Sequence, residues 1–298
     1  MRSTGPSLAA IAVLLAAAVA LQVWRERGWT PYEPATPVMW LQRPEVVSRL
    51  ALGFDALVAD VYWIRAVVYY GRQRLASDEA RNFDLLYPLL DMVTTLDPRF
   101  RAAYRFGAVF LSEPAPGGPD RPDLAIALLK RGWERTPERW EYPRDIAFVY
   151  GWRYRDYLQA ADWFDRAADV PGAPFWLRSS AAAMLVKGGA REAARELWRQ
   201  MHAGADNDLL RQTAQLRLAQ FDAMDAIDEL NRLSADYRRR TGRVPATWRE
   251  LIGARLLRAV PLDPLGVPYA LEADGAVTLD KASPLWPLPE GFESVVRP

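Results

Sequence analysis

Apolar residues in the middle of the chain recur every three or four positions, the spacing of amphipathic helices, and prolines separate the apolar runs. Pro98 and Pro137 lie thirty-nine residues apart, and Pro137 and Pro171 lie thirty-four residues apart. Each proline closes a helical run, because proline lacks the backbone N–H group that a helix interior requires. A period close to thirty-four residues predicts a helix–turn–helix repeat array.

The clearest unit opens at Asp156-Tyr157 and places Ala160, Phe164 and Ala167 on one helical face. Small alanines at the first and third positions let two helices approach closely, and Phe164 fills the gap between them. This unit resembles the second helix of a tetratricopeptide repeat (TPR). The resemblance implies an array that binds other proteins and rarely catalyses a reaction.

Neighbouring segments follow the same pattern. In the upstream unit, the first helix has a large and a small residue, Tyr104 and Gly107. The second helix has the core positions Ala125, Leu129 and Gly132. Its extra residues fall in Glu113 to Asp120, which cannot be helical because of its prolines and glycines. The downstream unit has a turn followed by second-helix core positions: Lys187-Gly188-Gly189, Ala193, Leu197 and Trp198. Two earlier helical runs, Asp55 to Arg74 and Phe83 to Leu96, are interpreted as a degenerate or capping repeat, so the resemblance covers roughly residues 55 to 202.

In the TPR family, the inner faces of the first helices line a concave groove. Carried over position by position, the resemblance implies eight partner-binding residues: Arg105, Val109, Tyr142, Asp145, Val149, Trp152, Phe175 and Arg178. A groove that mixes arginine, aspartate and aromatic side chains suits an extended peptide or a partner helix. We therefore expect a protein or peptide partner, with Tyr142, Trp152 and Arg178 exposed on one continuous surface.

The N-terminal segment Leu8 to Trp24 contains no charged residue and one amide, Gln22. Its seventeen residues reach the lower limit for crossing a bilayer, so we predict an uncleaved transmembrane anchor that makes the membrane a second partner. The alternative is a signal peptide cleaved after Ala18-Val19-Ala20, which has the small-x-small form of a cleavage site. A proline-rich stretch follows, and it predicts an extended spacer.

The C-terminal segment carries a second pattern. A long helix from Leu209 to Arg240 breaks at Thr241-Gly242, and a short helix starts at a Thr247 cap with Glu250 three residues later. A turn at Asp263-Pro264 precedes a predicted hairpin in which residues 270–272 and 276–279 flank Asp274-Gly275. This order resembles the globular end of type II secretion pseudopilins over about residues 225 to 280.

The pseudopilin resemblance is incomplete. The N-terminal methylation signal and the acidic calcium-binding loop of that family have no counterpart, and Asp263, Asp274 and Asp280 are interpreted as turn formers. The resemblance implies a bacterial-type inner-membrane protein with its body in the periplasm. A cytoplasmic body, or secretion after signal cleavage, stays open because the cations on the two sides of the apolar run are similar in number.

The sequence contains few residues that could support catalysis or metal binding. The chain has one histidine, His202, and no cysteine, which excludes His/Cys metal clusters and thiol chemistry. Phosphate-binding glycine loops are missing, and 38 Lys plus Arg balance 37 Asp plus Glu, so we expect no cofactor, no small-molecule substrate and no nucleic acid.

Together these patterns predict a mainly α protein: a TPR-like α-solenoid of helical hairpins with a small α+β C-terminal cap and one transmembrane helix. The predicted segments are an anchor (1–27), a spacer (28–50), TPR-like repeats (51–220) and a C-terminal helix with a β-hairpin cap (221–298). The expected function is a non-catalytic membrane-anchored scaffold that helps assemble an envelope complex such as a pilus or secretion system. The alternative is an accessory or hydrolytic envelope enzyme with its site in the groove.

Overall fold

The computed structural model describes residues 5–28 and 43–289, and in the first of these stretches it describes side chains for residues 13–24. The chain divides into two compact units, Met1–Gln42 and Arg43–Pro298. In the first unit, helix α1 spans Gly5–Gly28. Among the described residues, no helix combines the length and the apolar character that crossing a membrane requires. The predicted span from Leu8 begins among side chains that lie outside the described residues, and the predicted spacer lies outside them from residue 29 to residue 42.

The second unit is mainly helical, as predicted. Its helices are α2 (Pro44–Ala51), α3 (Asp55–Leu75), α4 (Leu86–Leu96), α5 (Arg101–Ser112), α6 (Pro122–Arg135), α7 (Glu141–Val149), α8 (Tyr157–Ala168), α9 (Trp176–Lys187), α10 (Arg191–Ala203), α11 (Asp208–Thr241) and α12 (Trp248–Gly253). Each helix from α3 to α11 packs against the next one along the chain. This nearest-neighbour packing is the arrangement expected of a helical repeat array.

Helix ends follow the proline and cap signals. Helices α4, α6 and α8 each end two or three residues before Pro98, Pro137 or Pro171. Helix α8 starts as predicted, because the Asp156 side chain accepts a hydrogen bond from the Gln159 backbone N–H at 3.0 Å. The segment between α5 and α6 is non-helical, also as predicted.

Small residues in the predicted core positions allow close helix contacts. Ala160, Phe164 and Ala167 of α8 are all buried. A methyl group added at Gly132 of α6 would lie 3.0 Å from the ring of Tyr104 on α5. The spacing of large and small side chains therefore sets the distance between neighbouring helices.

Of the three core positions predicted for α10, Trp198 is confirmed, and Ala193 and Leu197 are wrong by one residue. Ala193 is exposed and Leu197 is half-buried, whereas Ala194 and Trp198 are buried. The helix begins at Arg191, and a shift of one residue turns a side chain by about 100° around the helix axis. The buried set then has the same four-residue spacing as the core of α8.

Helix α11 joins the repeats to the C-terminal cap, and the predicted boundary at residue 221 falls inside it. Phe221 and Met224 pack with the apolar side chains of α9 and α10, whereas Ile227 and Leu230 pack against the hairpin. The hairpin pairs β1 (Ala270–Leu271) with β2 (Val277–Thr278) in antiparallel register, with Leu271 opposite Val277. Ser234 of α11 donates a hydrogen bond to the Gly275 carbonyl at 2.6 Å and so fixes the turn against the helix.

Turn chemistry in the cap agrees with prediction at three aspartates. Asp263 Oδ1 accepts hydrogen bonds from the backbone N–H groups of Leu265 and Val267, each at 2.9 Å. Asp274 and Asp280 each accept one from the backbone N–H two residues later. Such local bonds replace the ladder contacts that a tight turn interrupts.

One detail of the predicted short helix is wrong. Helix α12 starts where predicted, after Thr247, but the threonine side chain makes no capping bond to the backbone. Glu250 instead accepts hydrogen bonds from the Ala246 N–H at 3.4 Å and from the Tyr237 hydroxyl at 3.2 Å. This carboxylate therefore links α12 to α11.

Candidate functional site

A groove of about 630 Å³ lies between α5 and α7, with Leu129 of α6 at its base. Five of the eight residues implied by the TPR resemblance line this groove: Arg105, Val109, Asp145, Val149 and Trp152. Residues forty positions apart in the chain meet there because α5 and α7 both pack against α6.

Each wall of the groove is one stripe of a helix. On α5 the stripe is formed by Arg105, Val109 and Ser112, which are separated by four and then three residues. On the opposite wall, Asp145 and Phe148 lie on α7, and Trp152 lies in a single π-helical turn, Tyr150–Tyr154, that continues α7. Side chains at these spacings share a helical face. Single π-helical turns inside longer helices occur frequently at functional sites.

Several large apolar side chains on the groove walls are exposed to solvent. Trp152 is 80% exposed, and Phe106, Val109 and Phe148 are each at least half exposed. Phe148 is held at its base by an edge-to-face contact with Phe164 of α8, with ring centroids 5.2 Å apart. The rings are thus positioned by the core while one face of each remains available.

An ion pair bridges the two walls. Arg105 Nε donates to Asp145 Oδ2 at 2.6 Å, and Arg144 donates to Asp145 Oδ1 through Nε at 2.8 Å and through Nη2 at 2.6 Å. Both oxygens of this carboxylate therefore accept bonds from arginines. Such charge-assisted bonds are directional and orient α5 relative to α7.

The remaining charges of the groove are also paired. Glu113 lies 3.4 Å from Arg74 Nη2, and Arg153 is paired with Asp120. The lining therefore holds two arginines and two carboxylates, so its net charge is zero. A neutral, largely apolar lining suits an uncharged or amphipathic segment better than a phosphate group.

Tyr142 does not lie on this surface, so the expectation of one continuous exposed surface is wrong for this residue. Its side chain is 2% exposed and packs edge-on against Tyr104, with ring centroids 5.6 Å apart. Burial raises the pKa of the Tyr142 hydroxyl above its usual value. The residue lies on the side of α7 that faces α6, where Gly132 leaves room for the ring.

Phe175 and Arg178 are exposed but lie outside the groove lining. Phe175 immediately precedes α9, and Arg178 Nη2 pairs with Asp169 Oδ1 at 2.7 Å at the start of that helix. The groove formed by α5 and α7 thus includes predicted residues from these two helices and none of those predicted near α9.

Sequence reasoning missed Phe106, Phe148 and Arg144. All three are adjacent to a residue that was carried over from the TPR groove, at Arg105, Val149 and Asp145. An aromatic residue next to an inner-face position is a usable signal, because a large ring reaches around the edge of a helical stripe.

In the part of the chain that the structure describes, no group of three His, Cys, Asp or Glu residues is placed to hold a metal ion. His202 lies in the last turn of α10. The groove therefore combines a concave apolar surface with an ion pair at its centre. No family model, curated protein or solved structure matches this chain.

Proposed function

We propose that the second unit is a TPR-like array and that its groove between α5 and α7 binds a segment of a protein partner. The observation that carries this proposal is the set of exposed apolar side chains around the Arg105–Asp145 ion pair, with Trp152 the most exposed. Contiguous exposed apolar surface is typical of interaction sites.

The chemistry of the lining indicates the kind of segment. Apolar side chains of the partner would pack on Phe106, Phe148 and Trp152, and a volume of about 630 Å³ is in the usual range for a concave binding site. The Arg105 guanidinium carries N–H groups beyond the Nε–H that bonds Asp145, and these can donate to a carbonyl of the bound segment. The proposed ligand is therefore an uncharged peptide stretch with two or three large apolar side chains.

The setting of this activity is the cell envelope. Support comes from the uncharged run from Leu8 to Trp24 and from the pseudopilin-like order of elements after α11. In this proposal the array is a scaffold held at a membrane, and it takes part in assembling a complex such as a pilus or secretion machine.

A pull-down from detergent-solubilised membranes tests the groove, with Trp152→Ala compared to Phe175→Ala. Both residues are exposed aromatics, but only Trp152 lines the groove. Removing an aromatic anchor typically costs about 2 kcal/mol, roughly thirty-fold in affinity. We expect a partner that the wild-type protein and Phe175→Ala recover, and that Trp152→Ala loses with unchanged helical circular dichroism.

Equal recovery by Trp152→Ala and Phe175→Ala would refute the groove as the binding site. The membrane part of the proposal has a separate test in N-terminal sequencing of the mature protein. A sequence that begins at Met1 or Arg2 supports an uncleaved anchor, whereas one that begins at Leu21 contradicts it.

A further inference from the structure

Helix α3 carries apolar side chains on two opposite faces. One face is buried in the array and includes Ala59, Tyr62 and Ala66. On the other face, the exposed fractions of Leu57, Val61, Ile64 and Val68 are 62%, 43%, 61% and 46%. The helix has no neighbour in the described part of the second unit on that outer side.

An apolar outer face is unusual at the edge of a repeat array. Terminal repeats normally present a polar face to water, because they have a neighbour on one side only. The outer face of α3 therefore has the character of an interface rather than of a solvent-facing cap.

The apolar positions on this face follow a heptad pattern. Spacings of three and four residues alternate along the whole helix, through Phe54, Leu57, Val61, Ile64, Val68, Gly71 and Leu75. Because 3.5 residues per repeat is the period of a coiled coil, this seam matches another helix lying alongside α3.

Charged residues lie on both edges of the seam, beside the apolar residues Val58 and Val67. Asp60 lies on one edge, and Arg65 and Arg72 lie on the other. These edge charges have both signs, which suits pairing with the edges of a second helix, whereas a helix lying in a lipid surface is typically rich in lysine and arginine on its polar face. The occupant is therefore a helix of matching heptad pattern.

The residue types within the heptad indicate a pair of helices. The pattern assigns Val61 and Val68 to the a positions and Leu57 and Ile64 to the d positions. In parallel coiled coils, valine at a together with leucine at d favours two strands. A partner helix with this same residue set is present in every molecule of the protein, namely α3 of a second copy.

In a parallel pair, the charges on the edges of the seam are complementary. Asp60 occupies a g position and Arg65 occupies the e position of the next heptad, so a parallel dimer brings Asp60 of each copy near Arg65 of the other. Within its own chain the Arg65 guanidinium lies over the Tyr62 ring, 5.4 Å from the centroid. A guanidinium has five N–H donors, so these contacts are compatible with one another.

We propose that the outer face of α3 is a self-association surface, through which two copies of the chain form a parallel, in-register two-helix coiled coil. The two α3 helices then start at the same end of the interface, which suits two chains anchored in one membrane. The surface is separate from the groove between α5 and α7, so the proposed peptide binding and this dimer are tested independently.

Disulfide trapping tests the parallel register, because the chain has no cysteine of its own. In Leu57→Cys the two introduced thiols face each other across a parallel seam and should form a disulfide-linked dimer under mild oxidation. In an antiparallel pair centred between Val61 and Ile64 they would be about 16 Å apart along the axis, beyond disulfide reach. Ala56→Cys is the matched control, since Ala56 is exposed but off the seam, and it should give no linked dimer.

Light scattering of the full chain in detergent tests the association itself. We expect a protein mass twice the 33.7 kDa of one chain, and half that value for Ile64→Asp, with unchanged circular dichroism. Asp60→Arg and Arg65→Asp should each weaken the dimer at least tenfold, and the double reversal should restore it. A monomeric wild-type protein would overturn the proposal, and so would a dimer that Leu57→Cys fails to trap or that Ile64→Asp leaves intact.

Discussion

The close approach of α6 to two tyrosine rings predicts the outcome of replacing Gly132 by alanine. In a helix interior, glycine to alanine is normally favourable by about 1 kcal/mol, because alanine has the higher helix propensity. At Gly132 the new methyl group would lie 3.0 Å from Tyr104 Cγ and Cδ1 and 3.1 Å from Tyr142 Cε1. Carbon atoms at favourable separation are about 3.5–4.0 Å apart, so the rings or the helix must move.

Neither tyrosine ring can move without a loss of packing energy. Tyr104 is fully buried and Tyr142 is nearly so, and each ring lies edge-on against the other. Overpacking of this kind costs about 1–3 kcal/mol, which exceeds the gain of about 1 kcal/mol in helix propensity. We therefore expect Gly132→Ala to lower the free energy of unfolding by about 1 kcal/mol.

The matched control is Gly71→Ala in α3, where an added methyl group has no atom within 4 Å. Within one chain only the propensity gain acts there, and on the seam of a dimer the methyl group would add apolar contact of the same sign, so we expect stabilisation by at least about 1 kcal/mol. Urea unfolding followed by circular dichroism should therefore give shifts of opposite sign for the two variants. A midpoint raised equally by both changes would refute the close approach of α6 to the tyrosine rings.

Three further predictions concern the core. Ala160→Leu should lower stability by about 1–3 kcal/mol, since Ala160 is fully buried between helices, and an unchanged thermal midpoint would contradict that packing. Tyr269→Phe should raise stability by about 1 kcal/mol, because the Tyr269 hydroxyl is buried without a hydrogen-bond partner, and a lowered midpoint would count against this. Burial raises the pKa of Tyr104 and of Tyr269 to about 12, whereas tyrosine in the unfolded chain ionises near pH 10. Stability present below about pH 10 should therefore be lost as the pH rises from about 10 to 12, and thermal midpoints measured over that range should fall less steeply for Tyr269→Phe.

Local signals in the sequence were sufficient to place most helices. Prolines after α4, α6 and α8, the Asp156 cap and the glycine at residue 242 act within a few residues of where they stand. Their effects are predictable because a missing N–H group or a left-handed turn interrupts a helix whatever surrounds it. The core of α8 was predicted for the same reason, since small residues at fixed spacing describe one helical face.

The candidate groove was predictable in part. Five positions that were carried over from the TPR resemblance lie in the lining of the groove: Arg105, Val109, Asp145, Val149 and Trp152. Tyr142 and Phe175 lie outside the lining, because helical spacing does not say where the buried face of a helix ends and its open face begins. That limit is set by the helices packed on either side.

The sequence by itself determined where helices begin and end, which faces are apolar and which turns the aspartates form. Only the tertiary structure decided the register of α10, the burial of Tyr142 beside Gly132 and the meeting of Arg105 with Asp145. The physical reason is the difference in range. Hydrogen bonds and steric limits of the backbone act between near neighbours in the chain, whereas burial and ion pairing depend on residues that only the packing of several helices brings together.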